Sequence, residues 1–342
     1  MSRRYKGGVI SATAPTTSTS SATGVWTLNQ QMVAIVGSGW PLQPSFYIGR
    51  LTGASGLEVR GAAVDGSGNL YLAGYSAADI LIAKYDTPGA IQWQRTLGGT
   101  GSNSAQSVSV SSAGNVYVCG SSDAVSNDSF QIAKYNTSGA IQWQNRFGTG
   151  AIDQGFGVAL DSSENFYVCG LSFTSANEAV VAKFNSSGAI QWQKQLGNGS
   201  DSTQFEGVAV DSSGNVFACG RTFTGTFDLL IVKYNNSGTI QWQYKLGESA
   251  DTQLGKDVAV DASGNVYVCG RTTSQDFLIA KYNTSGSIQW QRTLGNGNEC
   301  ELRSVVTDSS SNVYVAGEAI TSGTLYIALA KYNFAGVLQW QY

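Results

Sequence analysis

Histidine is absent from all 342 residues. That removes Ser-His-Asp and Cys-His nucleophilic arrangements and His-ligated zinc centres at once. Proline is scarce, at 4 residues, and charged side chains make up only 13% of the chain. A disordered chain needs high net charge and low hydrophobicity, so this composition does not describe one. The net charge is −3, and the only basic cluster is Arg3, Arg4 and Lys6. No basic stripe is available to neutralise phosphates, so nucleic acid is not expected as a partner. No run approaches the roughly 18 apolar residues of a membrane-crossing helix, so no membrane partner is expected. The basic start lacks an apolar stretch, being interrupted by Gly7, Gly8, Ser11, Thr13 and Pro15. A cleaved secretory leader is therefore not expected.

What the chain does have is glycine, 42 residues of it, and a block repeated six times. The block is clearest at 281–294, reading KYNTSGSIQWQRTL. Its tryptophan recurs as Trp93, Trp143, Trp192, Trp242, Trp290 and Trp340, at intervals of 48 to 50 residues. Nine residues before each stands a lysine: Lys84, Lys134, Lys183, Lys233, Lys281 and Lys331. A period of this length marks a repeat architecture. Cys119, Cys169, Cys219 and Cys269 share one site in successive units, where the other two units carry Ala73 and Ala316. Cysteine alternating with alanine reads as a small buried residue, not as a disulfide or metal ligand. Cys300 is an additional thiol without an assigned role.

Each unit reads as four short strands separated by Gly/Asn/Ser turns. In the fifth unit these are 257–261, 266–269, 277–282 and 288–294. Four-stranded units repeated around a ring make a propeller. The expected fold is therefore all-β, a closed six-bladed β-propeller of four-stranded antiparallel blades, about 50 residues per repeat. The blades are expected at 57–98, 105–148, 155–197, 205–247, 255–295 and 302–342, within a domain spanning 46–342. Phe46–Leu51 (FYIGRL) aligns with the second half of a fourth strand, with Tyr47 at the tryptophan position. It is expected to add to the sixth blade and pin the ring. An open stack of hairpins would leave edges unpaired and is disfavoured.

The interval from the Asp position of the first strand to the glycine of the second is nine in every unit, for example Asp65 to Gly74 and Asp261 to Gly270. From that glycine to the lysine it varies between 10 and 14. In an up-and-down meander the first–second and third–fourth turns lie on one face, and the other connections lie on the opposite face. All length variation thus falls on one face, where recognition usually sits on a rigid scaffold. That loop face carries the candidate binding residues Phe173, Glu178, Arg221, Phe223, Phe227, Asp228, Arg271, Asp276, Glu318 and Tyr326. Aromatics mixed with arginine and acids suit a sugar or a protein surface. Ordinary loop composition explains them as well, and both readings stand at this point.

The recurrent acids Asp65, Asp161, Asp211, Asp261 and Asp308 lead turns on the constant face. They lack the further acids of a calcium loop, so turn chemistry is preferred and no metal is expected. The four Asn-x-Ser sequences at Asn136, Asn185, Asn235 and Asn283 are read as one hairpin turn rather than as glycosylation sites. Each recurrent lysine is expected to lie along its blade's aromatics and reach an acid or carbonyl. No catalytic residue and no cofactor is assigned, and the chain is not expected to be an enzyme. A carboxylate pair among Glu178, Asp228, Asp276 and Glu318 is the one route to catalysis left open.

The unit V-A-V-D-x-S-G-N-V-Y-V-x-G followed by K-Y-N-x-S-G-x-I-Q-W-Q resembles the bacterial β-propeller repeat family called SBBP, over about 57–342. That resemblance implies the fold and transfers no active site. Residues 1–45 are of a different composition, rich in Ser, Thr and Ala. Their stretches Gly7–Thr16, Gly24–Gln31 and Gly39–Pro41 resemble the N-termini of tailed-phage virion proteins. This implies an extended anchoring arm, with Tyr5, Val25, Trp26, Leu28 and Trp40 docking on other virion proteins. The expectation is a virion structural protein, a tail-fibre or head-decoration component present in many copies. Its propeller would contact a host cell-surface glycan or protein. The alternative is a secreted or surface-anchored bacterial propeller, acting as a lectin-like module or as a carboxylate-dependent lyase or glycosidase.

Overall fold

A computed structural model describes residues 57–342, apart from 99–100, 126, 149–151, 174, 198, 248–251, 296–299 and 322. The expected arm, its five docking residues and Phe46–Leu51 lie outside the described residues. The described chain is an all-β propeller of six four-stranded antiparallel blades. Blade 1 comprises β1 (Glu58–Val64), β2 (Leu70–Ser76), β3 (Asp79–Tyr85) and β4 (Ile91–Leu97). Blade 2 comprises β5 (Asn103–Val110), β6 (Val116–Val125), β7 (Asn127–Tyr135) and β8 (Ile141–Phe147). Blade 3 comprises β9 (Ile152–Leu160), β10 (Phe166–Phe173), β11 (Asn177–Phe184) and β12 (Ile190–Leu196). Blade 4 comprises β13 (Thr203–Val210), β14 (Val216–Phe223), β15 (Phe227–Tyr234) and β16 (Ile240–Leu246). Blade 5 comprises β17 (Gln253–Val260), β18 (Val266–Thr272), β19 (Phe277–Tyr282) and β20 (Ile288–Leu294). Blade 6 comprises β21 (Cys300–Thr307), β22 (Val313–Thr321), β23 (Thr324–Tyr332) and β24 (Leu338–Gln341).

The third and fourth strands of blade 5 run where the sequence places them. Its first strand starts at Gln253, earlier than the expected 257. Polar Gln253 and Lys256 hide that part, and a bulge between Gly255 and Asp257 shifts the alternation. The same bulge recurs in the first strand of every blade. It also explains the recurrent glycine of the second strand. A Cβ on Gly74 would lie 1.9 Å from the Glu58 carbonyl oxygen, and one on Gly220 would lie 2.0 Å from that of Gln204. No side chain fits opposite the bulge.

The turn face is built by repeated side-chain caps. Asp65 Oδ1 accepts from the Ser67 and Asn69 amides, and Oδ2 accepts from Asn69 Nδ2 and the Tyr71 hydroxyl. Asp161, Asp261 and Asp308 repeat all four bonds, and Asp211 three of them. Burial opposes ionisation of Asp65, but the bonds from Asn69, Tyr71 and Ser67 prevail and hold it at about 2. These oxygens are occupied by turn donors, as the turn reading requires.

Blade 2 departs from this pattern and its neighbour compensates. Ser111 stands where the other blades have aspartate. Glu164 of blade 3 reaches across to Asn115 Nδ2, the Tyr117 hydroxyl and Lys134 Nζ, the last at 3.1 Å. Glu164 itself replaces the turn glycine and takes its left-handed conformation, with φ 58°. Two departures from the repeat therefore meet at one site, and the missing carboxylate is supplied from the next blade.

Five tryptophans pack between blades, while Trp340 of blade 6 is 39% exposed and, among the described residues, touches only rings of its own blade. Trp93, Trp143, Trp192, Trp242 and Trp290 donate Nε1 to the Thr137, Ser186, Asn236, Thr284 and Phe334 carbonyls of the following blade. The indole lies against that blade's turn glycine, Gly238 in the case of Trp192. All six lysines lie over an aromatic ring of their own blade, and Lys134, Lys233 and Lys281 reach a carbonyl of the following blade. Lys281 lies 5.4 Å from the Tyr267 ring and donates to the Phe334 carbonyl. The core is five inter-blade layers, such as Tyr167, Cys169 and Val181 of blade 3 against Phe205, Val208 and Val232 of blade 4. All five cysteines are free and buried.

The six blades are as expected, and apolar layers join them in succession from blade 1 to blade 6, but among the described residues no sixth layer joins blade 6 to blade 1. Ile82, Ile132, Val181, Ile231 and Ile279 occupy one site and are at most 1% exposed, whereas Leu329 at the same site in blade 6 is 42% exposed. The Glu58 carboxyl of blade 1 is held low chiefly by Tyr75 and Arg60, with the Arg303 charge of blade 6 adding to them.

Candidate functional site at the axial end of the loop face

The bulge turns one side chain per blade out of the strand's alternation. The six bulge residues are Arg60, Gln106, Phe156, Glu206, Lys256 and Arg303, each five residues before the Asp position of its unit. Two residues earlier on the innermost strands stand Glu58, Ser104, Gln154, Gln204, Leu254 and Glu301. Opposite these, on the second strands, are Tyr75, Ser121, Leu171, Arg221, Arg271 and Glu318. These positions lie towards the face whose loops vary.

From blade 4 through blade 6 they form one charged network. Lys256 Nζ is 3.7 Å from Glu206 and 3.5 Å from Glu301, bridging three successive blades. Glu301 also faces Arg271 at 3.4 Å and Arg303 at 3.0 Å. Arg303 donates Nε and Nη2 to Glu318 Oε1 at 3.1 and 2.5 Å, and that bond raises its pKa further. Arg221 Nη2 donates to Gln204 Oε1 at 3.1 Å, and Gln204 Nε2 donates to Glu206. In blade 1, Glu58 accepts from the Tyr75 hydroxyl and from Arg60 Nε. Blades 2 and 3 answer with neutral groups: the Ser104–Ser121 pair, Gln106, Phe156 and buried Leu171. The axial end is thus charged on one side and neutral on the other. Its charges alternate in sign, which makes an array of fixed donors and acceptors.

Beside this network blade 4 carries an aromatic–guanidinium stack. Phe223 and Phe227 pair across their hairpin, with ring centroids 4.9 Å apart. The Arg221 guanidinium lies 5.1 Å from the Phe227 centroid. The structure thus joins Arg221, Phe223 and Phe227, and links Arg271 with Glu318 through Glu301 and Arg303. Phe173 and Tyr326 sit exposed on separate hairpins of blades 3 and 6. Glu178, Asp228 and Asp276 do not converge. Each lies beside the glycine closing its own blade's fourth strand, where a Cβ on Gly197, Gly247 or Gly295 would strike it. Among the described residues no group of three His, Cys, Asp or Glu side chains could hold a metal. Glu206, Lys256, Glu301 and Arg303 escape composition-based reading. Their signal is positional, a fixed offset of five residues before the Asp site or seven for Glu301.

Burial lifts Asp257 to about 6, against hydrogen bonds from Val305 N, Val258 N and Ser304 Oγ. Its carboxyl is enclosed between the first strands of blades 5 and 6.

Residues 191–222 and 241–277 match the family model described as SBBP, beta-propeller repeat. No curated protein matches the chain in sequence. Among solved structures, a Lactobacillus plantarum protein is similar at TM-score 0.57 and 14% identity, over 85% of this chain and 86% of that one. The WD40 domain of Neurospora crassa Pan2 is similar at TM-score 0.53 and 9% identity, over 87% and 79%. That of Toxoplasma gondii coronin gives TM-score 0.53 and 12% identity, over 84% and 70%. These likenesses are to the propeller fold alone.

Proposed function

We propose that the protein is a non-catalytic binding component that recognises a glycan or protein surface through its loop face. The observation that carries this reading is coincidence of place. The loops of variable length, the Arg221–Phe223–Phe227 stack and the alternating network around Glu301 all lie at one end of the blades. Exposed aromatic faces stack on the apolar faces of sugars, and fixed guanidinium and carboxylate groups bond their hydroxyls. The carboxylates that could serve as acid and base are held apart or ion-paired, which favours binding over hydrolysis.

We further propose that this propeller is displayed on a phage particle, docked by residues 1–45, and meets the host cell surface. That part rests on the resemblance of the leader, and many weak contacts multiplied by copy number would supply the avidity. Arg221→Ala combined with Phe223→Ala should abolish glycan-array or cell binding while leaving the melting temperature unchanged. Unchanged binding would refute the loop-face assignment. Deleting residues 1–45 should abolish incorporation into particles, read by mass spectrometry of purified virions, and leave a folded propeller.

A further inference from the structure

Five of the six blades carry a tyrosine at one position of the second strand: Tyr71, Tyr117, Tyr167, Tyr267 and Tyr314. Blade 4 has Phe217 there. In blade 6 the Tyr314 hydroxyl donates to Asp308 Oδ2 at 3.1 Å and is bonded to the Lys331 ammonium. It stands between a cation and a carboxylate, accepting from one and donating to the other. Phe217 leaves that oxygen out. Among the described residues, Asp211 Oδ2 accepts only from Asn215 Nδ2, at 2.7 Å. Lys233 lies 5.3 Å from the Phe217 ring centre and donates to the Thr284 carbonyl at 3.3 Å, which it shares with Trp242.

The following blade leaves the same place open. At the turn-glycine position, blade 3 sends Glu164 into its junction with blade 2, where it takes Lys134. Blade 6 sends Ser311 to Asp261. Between blades 3 and 4 the Asn236 side chain takes Lys183. Blade 5 has Gly264 at its turn, with φ 79° and no side chain to send. A cleft of about 410 Å³ lies between blades 4 and 5, lined by Asp211, Ser213, Asn215, Lys233, Asp261 and Thr284 among others. That volume is within the range of small-molecule sites, about 300–1,000 Å³.

The chemistry of the gap selects the ligand. A carboxylate cannot donate to Asp211 and meets the charges of Asp211 and Asp261. An ammonium cannot accept from Lys233 and is repelled by it. A hydroxyl both accepts and donates, as the Tyr314 hydroxyl does in blade 6. We propose that this cleft binds a neutral polyhydroxylated ligand, a sugar ring, with one hydroxyl bridging Lys233 Nζ and Asp211 Oδ2. Its other hydroxyls meet Ser213, Asn215 and Thr284. A single water satisfies the bridge but occupies only about 30 Å³. The site is on the turn face, and the inference is independent of what the loop face binds.

Backbone amide resonances of the full chain test it, with the methyl pyranosides of glucose, galactose and mannose as probes. At millimolar concentration at least one of them should shift the Ser213, Gly264 and Thr284 amides saturably. Phe217→Tyr supplies the hydroxyl from the protein, as the other blades do. It should weaken that binding on the order of tenfold or more and leave the melting temperature no lower. Gly264→Ser, which copies Ser311, should weaken it as well. No shift with any of the three glycosides would overturn the proposal. So would equal affinity in a folded Phe217→Tyr variant. Shifts caused by acetate or methylammonium and not by the glycosides would overturn the choice of ligand. Binding at the loop face would move amides around Arg221 and Phe227 instead, so the two readings fail separately.

Discussion

On the turn face, Asp65, Asp161, Asp211, Asp261 and Asp308 make the same cap in five blades. Towards the loop face, Arg60, Gln106, Phe156, Glu206, Lys256 and Arg303 hold one backbone position with unlike side chains. The same four strands support both. The difference shows where stability and recognition are housed. At the turn face the five aspartates find their donors at fixed sequence spacing, and Trp93, Trp143, Trp192, Trp242 and Trp290 each tie their blade to the next. At the axis the bulge fixes the backbone and leaves the side chain free to differ. One face makes the ring, and the other can change without unmaking it.

That division can be broken by substitution, with the largest effects expected on the constant elements. Trp93→Ala removes a buried indole and its bond to the Thr137 carbonyl, and should cost about 3–5 kcal/mol in denaturant unfolding. Gly220→Ala places a Cβ 2.0 Å from the Gln204 carbonyl oxygen. Overpacking of this kind should cost about 1–3 kcal/mol or more. Glu164→Gln leaves Lys134 without its carboxylate, and should cost about 1–3 kcal/mol. Ser111→Asp with Glu164→Gly restores the cap used elsewhere, so the pair should be far milder than the sum of its parts in a double-mutant cycle. An additive result would mean that the two departures are unconnected.

The acid limb sharpens the same contrast. Burial opposes ionisation of Glu164, but bonds from Ser111, Asn115, Tyr117 and Lys134 hold it at about 2, below its usual 4.5. Its contribution is therefore present above pH 4.5 and lost as pH falls towards 2, so Glu164→Gln should flatten that part of the stability profile. Asp257 has the opposite sign. Its pKa is raised to about 6 from 3.8, so stability falls as pH rises through that window, and Asp257→Asn should remove the slope. The smallest effect on folding belongs to the loop face. Arg221→Ala and Phe223→Ala should change stability by only about 0.5 kcal/mol, since surface changes usually stay within that range. A large loss of stability there would erase the distinction between the faces.

How legible this was depended on period. The third and fourth strands of blade 5 stand out because Phe277–Tyr282 and Ile288–Leu294 keep an unbroken pattern between Gly and Asn turns. The first strand is masked because the bulge at Lys256 reverses the alternation midway. At the site, Arg221, Arg271 and Glu318 were readable because they follow the second strand's glycine into loops that differ. Glu206, Lys256, Glu301 and Arg303 were not, because six units offer different residue types and the reader looks for likeness. The link between Ser111 and Glu164 was hidden for a related reason. Each looks like drift in its own repeat, and only packing shows that they are one change.

That link bears on how such a gene can change length. Near-identical repeats misalign during recombination, so whole blades can be lost or duplicated. Most junctions here are interchangeable, since five of the six blades carry their own aspartate. The junction between blades 2 and 3 is not: a crossover separating them would leave Ser111 with no carboxylate and strand Glu164 in a left-handed turn. Recombinants broken at that point should be recovered less often than those broken at any other.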